Sequence, residues 1–395
     1  MYLLRFFNQA LGFIIIPMIA TKFGAQSFGQ YATDMAIIAY VVLISDYGFD
    51  LNATKNISEH KNNLNEVSKI VTVTLFSKLA LVCLSGVIIC LYLYLVSSID
   101  LLLISCFFSV VGQILFPTFV FQGLLVNKHI VIVISLTKTI GFLTIIIVLT
   151  YCQNLSIVVY PLLLGVFNLL SLMWALFIIK NKLGLYLNAP TFNEVLDALR
   201  EGFNFFLVKL GNGFNASITI LTFSFLFSPI IVAYLSISEK IQRVINGLFI
   251  PLIQALFPYF TKRNEKGERG KVHILYFVSI FFLLLTISII ISIYSNSIIL
   301  ILFGESYIEA SNILSILIFA PPISYVRNLV TEVYLINWGL ESSVRSNIFI
   351  SSIFAGIYCV ISSSYYGYEA ASFTILISEL LIILLSIRTG YRKLL

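Results

Sequence analysis

Charge is scarce in this chain. Only 11% of its 395 residues are Asp, Glu, Lys or Arg, against about a quarter in a soluble globular domain. The mean hydropathy is +1.01 and 59% of residues are hydrophobic. A chain this apolar has no means of covering itself with a water-soluble surface, and it reads as an all-α polytopic membrane protein. The apolar runs are continuous rather than alternating, which excludes a transmembrane β-barrel. Cysteine is sparse and unpaired in pattern: Cys83, Cys90, Cys106, Cys152 and Cys359 fall mostly in apolar runs, with no CxxC. They read as small hydrophobic residues. The three histidines, His60, His129 and His273, are scattered at loop or helix-end positions. Neither a metal site nor a cofactor is expected.

At roughly 20 residues per span, the length holds about twelve helices. Hydropathy places them near 3–21, 30–50, 70–96, 101–123, 130–151, 157–179, 201–227, 229–260, 273–295, 308–336, 346–363 and 369–387. The apolar run at the start follows Arg5 but holds Asn8 and Pro17, so it reads as a retained first helix rather than a cleaved signal. The eighth and tenth spans carry Pro251 and Pro258, and Pro321 and Pro322, where kinks are expected.

Lys and Arg set the orientation. With the N-terminus inside, Lys22 is the sole basic residue in an outer loop, six fall within spans, and the other seventeen of the 24 lie on the cytoplasmic side. Both termini are therefore expected in the cytoplasm, and the net charge of +6 calls for no nucleic-acid partner. Within the middle inner loop, Thr191 and Glu194 stand at capping-box spacing, ahead of an amphipathic turn with Phe192, Val195, Leu196 and Leu199 on one face. This loop divides the chain into a first bundle of six spans (1–179), a cytoplasmic linker with an amphipathic helix (180–200) and a second bundle of six (201–395).

The few charges left inside spans are costly there and mark function. At 1.5 Å per residue, Glu239 and Lys240 lie near the midplane and Glu379 equally deep. Glu239 and Arg243 are i,i+4 and suited to pair. The cluster stays net positive through Lys240. Lys138, Lys209 and Arg327 add to a cationic cavity wall fit for an anionic solute, with Asn8, Asn212 and Asn215 as polar lining. Lys78, nearer a helix end, reads as a snorkelling lysine, and Asp46 in "SDYGFD" as structural. Asp34, Glu239, Glu332 and Glu379 are the acids suited to coupling with a proton or sodium gradient. Asp34 sits near the outer end of its span, where a solvated or capping role competes.

Four stretches, "NQALGFIIIPMIATKFG", "FGAQSFGQYATDMAIIAYVVLISDYGFDLNATKNIS", "AYLSISEKIQRVINGLFIPLIQALFPYFTKR" and "ILFGESYIEASNILSIL", carry a resemblance. The chain resembles the Wzx-type O-antigen and capsule repeat-unit flippases of the multidrug/oligosaccharidyl-lipid/polysaccharide exporter superfamily. That resemblance implies two six-helix bundles around a central cavity in a bacterial inner membrane. It implies alternating-access export of an undecaprenyl-diphosphate-linked oligosaccharide, with membrane lipids, H⁺ or Na⁺, a polysaccharide polymerase and a chain-length regulator as partners. Glu239, Lys240 and Arg243 match the family's charged cluster. The chain departs from the pattern at Lys55, where the family often has Arg, and in its short leader. A multidrug or cation antiporter of the same superfamily is the nearest alternative, and Lys138, Lys240 and Arg243 oppose it. A polysaccharide polymerase or ligase would place a large loop outside. The longest outer segment here, 295–311, is mostly apolar and holds only Glu305 and Glu309 as acids, so a non-enzyme is expected.

Overall fold

The computed structural model describes the backbone of residues 2–97, 99–264, 271–336 and 338–394. It describes the side chains of 12–97, 99–203, 206, 218–247, 277–332, 334–336 and 338–392. Every regular element among the described residues is helical. Seven helical stretches there are long and apolar enough to cross a membrane. Phe277–Ile293 with Ser295–Phe303, bent by 69°, makes an eighth if it is one span.

Two stretches are far longer than one crossing: Gly12–Glu59 has 48 residues and Glu341–Arg392 has 52, about 72 and 78 Å at 1.5 Å per residue. Each is broken at a glycine. In α1 (Tyr2–Asp46) Gly24 has φ 76 and ψ 166, so the outer loop expected around residues 22–29 is helical except at that one position. Gly367, φ 55, separates α14 (Glu341–Tyr366) from the last helix, α15 (Ala370–Leu394). Only glycine adopts such dihedrals without a steric penalty.

The chain packs into two compact units, one formed by residues 3–15 and 34–213 and the other by 16–33 and 214–395. The first holds α2 (Phe49–Glu59), α3 (Leu64–Leu95), α4 (Leu101–Leu115), α5 (Thr118–Gly123), α6 (Lys128–Tyr151) and α7 (Val159–Asn181). Their ends are locally encoded. The Asn63 side chain accepts from the Glu66 amide, and the Asp100 carboxylate from the Leu102 and Leu103 amides, each satisfying an orphan donor of a first turn.

The side-chain pattern of α6 shows how these helices divide protein from lipid. Its buried residues, Val133, Thr137, Gly141, Ile145 and Leu149, recur every four positions. Ile132, Leu136, Ile140, Leu143 and Ile147 are exposed on its other faces, an apolar surface that suits acyl chains rather than water. Small residues bring helices close. At Gly112 on α4 any Cβ would collide with the backbone of Asn168 on α7.

The capping box forms: the Glu194 carboxylate accepts from the Thr191 amide at 2.8 Å. The helix it opens, α8 (Phe192–Leu226), runs unbroken into the next span rather than stopping as a separate surface helix. Lys69 reaches the same carboxylate at 2.8 Å. Hydrogen bonds from Lys69 and Thr191 hold the Glu194 carboxyl down at about 2.

The second unit continues with α9 (Pro229–Asn264), α10 (Lys271–Ile293), α11 (Ser295–Phe303), α12 (Ala310–Leu317) and α13 (Ala320–Asn328), followed by a π-helical stretch, Leu329–Ile336. Pro321 and Pro322 do not kink a long helix; they open α13 at its first turn, where a missing N–H costs nothing. The segment expected as an outer loop at 295–311 is mostly helix. Within this unit Tyr307, fully buried, donates its hydroxyl to the Ala20 carbonyl at 2.7 Å, and a Cβ on Gly29 would collide with the Pro229 carbonyl.

Candidate functional site

The first unit contains a cavity of about 310 Å³ whose wall includes Asp46, Asp50, Gln113, Thr118, Lys138 and Asn168. Two helix breaks border it. Tyr47 (φ 45) and Gly48 (φ 75) are consecutive left-handed residues between α1 and α2. The tyrosine costs roughly 1–2 kcal/mol there and is held by stacking on Phe206, with ring centroids 4.7 Å apart at 11°. The second break lies between α4 and α5. Pro117 pushes Phe116 to extended dihedrals (φ −62, ψ 122), as the residue before a proline prefers.

Lys78 ties both breaks together. Its side chain is 1% exposed, with Nζ 2.6 Å from Asp50 and 2.9 Å from Asp46. Nζ also donates to the Ile114 carbonyl at 3.2 Å, one of the orphan carbonyls at the end of α4. Thr118 donates to the other Asp50 oxygen at 3.0 Å. Lys78 is therefore not the snorkelling lysine expected from sequence. It is a buried cation shared by two carboxylates, and Asp46 is one of its two ligands. Asn168 donates to the Ser109 carbonyl at 2.9 Å, fixing its amide against α4. Lys138 and Gln113 face the cavity with no hydrogen-bond or ion-pair partner among the described residues.

Asp34, also in the first unit, is 7% exposed, and its Oδ2 has no hydrogen-bond partner among the described residues. It is neither solvated nor a helix cap, so the competing reading from sequence fails.

In the second unit the Glu239–Arg243 pair forms at 2.7 Å. The Glu239 side chain is 7% exposed and that of Arg243 55%, so the acid is inside and the guanidinium reaches outward. Lys240 Nζ lies 5.9 Å from the Phe28 ring centroid, within cation–π range. Arg327 is held differently: its Nη1 is 3.2 Å from Glu379, and Nε and Nη2 donate to the Asn328 side-chain oxygen at 3.2 and 2.9 Å. A cation assigned to the solute and an acid assigned to coupling thus hold each other. Glu332 lies exposed in the π-helical stretch, a distortion often found at functional sites. The side chains of Asn8, Lys209, Asn212 and Asn215 lie outside the described residues.

A family described as polysaccharide biosynthesis protein matches residues 1–264. The chain belongs to that family. It is 24% identical over 396 residues to a putative O-antigen transporter of Shigella dysenteriae, covering 98% of both chains. It is 23% identical over 255 residues to a putative O-antigen transporter of Escherichia coli strain K12, covering 64% of this chain and 61% of that one. Among solved structures, the lipid II flippase MurJ in an inward closed conformation superposes with a TM-score of 0.75 at 15% identity, over 98% of this chain and 86% of that one. An inward-facing multidrug-resistance MATE family transporter of the MOP superfamily gives 0.75 at 11% identity, over 98% and 94%. These two establish the fold: the all-α polytopic architecture read from composition is the one these two structures share.

For this member of the polysaccharide biosynthesis family, sequence reasoning missed Asp50, Gln113, Thr118 and Asn168. One signal was available. Asp46 and Asp50 are i,i+4 around Gly48 in "SDYGFD", an acidic pair across a helix-breaking glycine.

Proposed function

We propose that this chain is a flippase that moves an undecaprenyl-diphosphate-linked oligosaccharide repeat unit, for O-antigen or capsule, from the cytoplasmic to the outer leaflet of a bacterial inner membrane by alternating access. The observation that carries the reading is the net-positive cluster on α9. Glu239 neutralises one of two cations, and Lys240 remains beside Phe28 without a carboxylate of its own among the described residues. Point-charge Lys and forked Arg are the donors that recognise phosphate. Family membership and full-length similarity to a putative O-antigen transporter support the same substrate class.

In this reading Lys240 and Arg243 grip the diphosphate. Lys138, Lys209 and Arg327 offer charge to acidic parts of the glycan, with Asn8, Asn212 and Asn215 as polar lining. Asp34, Glu239, Glu332 and Glu379 are the acids through which an H⁺ or Na⁺ gradient couples. Both termini face the cytoplasm, from the excess of Lys and Arg on that side. Residues 1–179 and 201–395 act as the two bundles and 180–200 as the linker. The chain performs no covalent chemistry and hands its cargo to a polymerase with its chain-length regulator.

The test is complementation in a bacterium lacking its own repeat-unit flippase but holding the matching glycan genes, with surface polysaccharide as readout. Wild type restores it, and Lys240→Ala/Arg243→Ala at equal membrane abundance loses it. A well-expressed wild type that restores nothing refutes the proposal and favours the antiporter, which shares the fold.

A further inference from the structure

The cavity of the first unit has a chemistry unlike that of the α9 cluster, and none of its groups is needed to grip a diphosphate. Two lysines, Lys78 and Lys138, stand against two carboxylates, Asp46 and Asp50, so its charge sums to zero. Lys78 is held by Asp46 and Asp50, so Lys138 alone faces an incoming anion: one positive charge, which matches a carboxylate and falls short of a dianionic phosphate. The volume of about 310 Å³ lies at the small end of the ~300–1,000 Å³ typical of ligand pockets. It admits one pyranose ring with a few waters, not a whole repeat unit.

The groups on the wall sort into two kinds. Asp46, Asp50, Thr118 and Asn168 are oriented by protein partners, and each carboxylate and amide oxygen keeps a lone pair that can accept from a hydroxyl. Gln113 and Lys138 have no hydrogen-bond or ion-pair partner for their donors among the described residues. Phe116, Ile134 and Val42 supply apolar faces to the same wall. Fixed acceptors, free donors and an apolar face are what a polyhydroxylated ring needs: its hydroxyls both donate and accept, and its C–H faces are apolar. Lys138 adds one positive charge with no ion-pair partner among the described residues, matching one carboxylate.

We infer that this cavity is a glycan subsite that holds a single pyranose ring bearing a carboxylate, with Lys138 on the carboxylate and Gln113, Asp46 and Asp50 on the hydroxyls. The assignment rests on the flippase reading and names the part of the cargo that the first unit recognises. Lys78 is a positioning residue: it keeps Asp46 and Asp50 facing the ring and holds the two helix breaks open around it.

The experiment uses the purified full-length chain in detergent and calorimetric titration with four probes: glucuronate, methyl glucoside, lactate and inorganic pyrophosphate. Wild type is expected to bind glucuronate at least tenfold more tightly than lactate, which has the carboxylate without the ring, and about tenfold more tightly than methyl glucoside, which has the ring without the charge. Lys138→Gln removes that advantage over methyl glucoside, and Gln113→Ala weakens both sugars about fivefold. Neither side chain has a hydrogen-bond or ion-pair partner among the described residues, so both variants should melt with the wild type, and that is measured alongside. Pyrophosphate binding falls in Lys240→Ala/Arg243→Ala and is unchanged in Lys138→Gln. Wild type that binds pyrophosphate but no sugar overturns the subsite and leaves the flippase standing. Loss of pyrophosphate binding in Lys138→Gln overturns it too, by making the cavity a phosphate site. Sugar binding without surface-polysaccharide rescue in cells would sink the transport reading instead.

Discussion

Removing the ammonium of Lys78 is the sharpest test of how the first unit is held. In Lys78→Met the side chain keeps most of its volume, so the change is chiefly electrostatic. Nζ sits 2.6 and 2.9 Å from two carboxylates. At an effective dielectric constant of about 20, each contact corresponds to about 6 kcal/mol of Coulomb attraction. Desolvating an ammonium whose side chain is 1% exposed offsets much of that, by several kcal/mol per ion. The net pair is therefore modest, but the variant does not return to zero. It leaves Asp46 and Asp50 facing each other across a helix break without the ammonium they share, and it strips the Ile114 carbonyl of that donor. Breaking such a buried pair costs about 3–5 kcal/mol. The triple variant Lys78→Met/Asp46→Asn/Asp50→Asn removes the orphaned charges and should recover most of that loss. The assay is denaturant unfolding in a fixed detergent, with folded protein followed by size exclusion. If Lys78→Met unfolds within about 1 kcal/mol of the wild type, or if the triple variant is no more stable than the single one, the ammonium is not what holds the breaks.

Other consequences are independent of that one. Glu194 has its pKa depressed from 4.5 to about 2, so its contribution to the α8 N-terminus is complete above about 4.5 and is lost as pH falls towards 2. Amide exchange in the first turn of α8 should accelerate across that window, and Glu194→Gln should abolish the pH dependence. Tyr307→Phe deletes the hydroxyl that reaches the Ala20 carbonyl and should cost about 1–3 kcal/mol, because that buried acceptor is left unsatisfied; unchanged unfolding would mean the carbonyl finds another donor. Gly112→Ala should reduce the yield of folded protein more than Gly184→Ala does. The first meets the Asn168 backbone, whereas the second meets only open space and pays for a positive φ. Arg243→Ala strands the buried Glu239 and should destabilise the chain more than Glu239→Gln/Arg243→Ala does, read by the same unfolding assay.

The membrane class was legible because it follows from totals. So few charges over so much apolar length leave no soluble solution, and the long helical stretches confirm it. Short-range chemistry was legible as well: the Thr191–Glu194 capping box and the Glu239–Arg243 pair form as their spacing requires, since three and four residues apart are neighbours on any helix. Where α1 breaks was not legible. A run of polar and small residues from Thr21 to Gln30 reads as a loop, yet only Gly24 leaves the helix, because in a protein surrounded by lipid an unpaired backbone is costlier than a polar side chain. Lys78 was misjudged for a similar reason. Sequence depth says how far a lysine lies from a helix end, but whether it snorkels or turns inward depends on which carboxylates other helices present.

By itself, then, the sequence determined the solvent this protein lives in, the helical character of its segments and the partners each residue meets within one turn of its own helix. Those are sums over composition and interactions across three or four residues, and they need no knowledge of the fold. Only the tertiary structure decided that Asp46, Asp50, Lys78, Thr118 and Ile114 converge on one point, and that Gln113, Lys138 and Asn168 face the same space. These residues span some 120 positions of chain and come from seven helices. Their meeting depends on close approaches such as Gly112 against Asn168, which no pairwise spacing encodes.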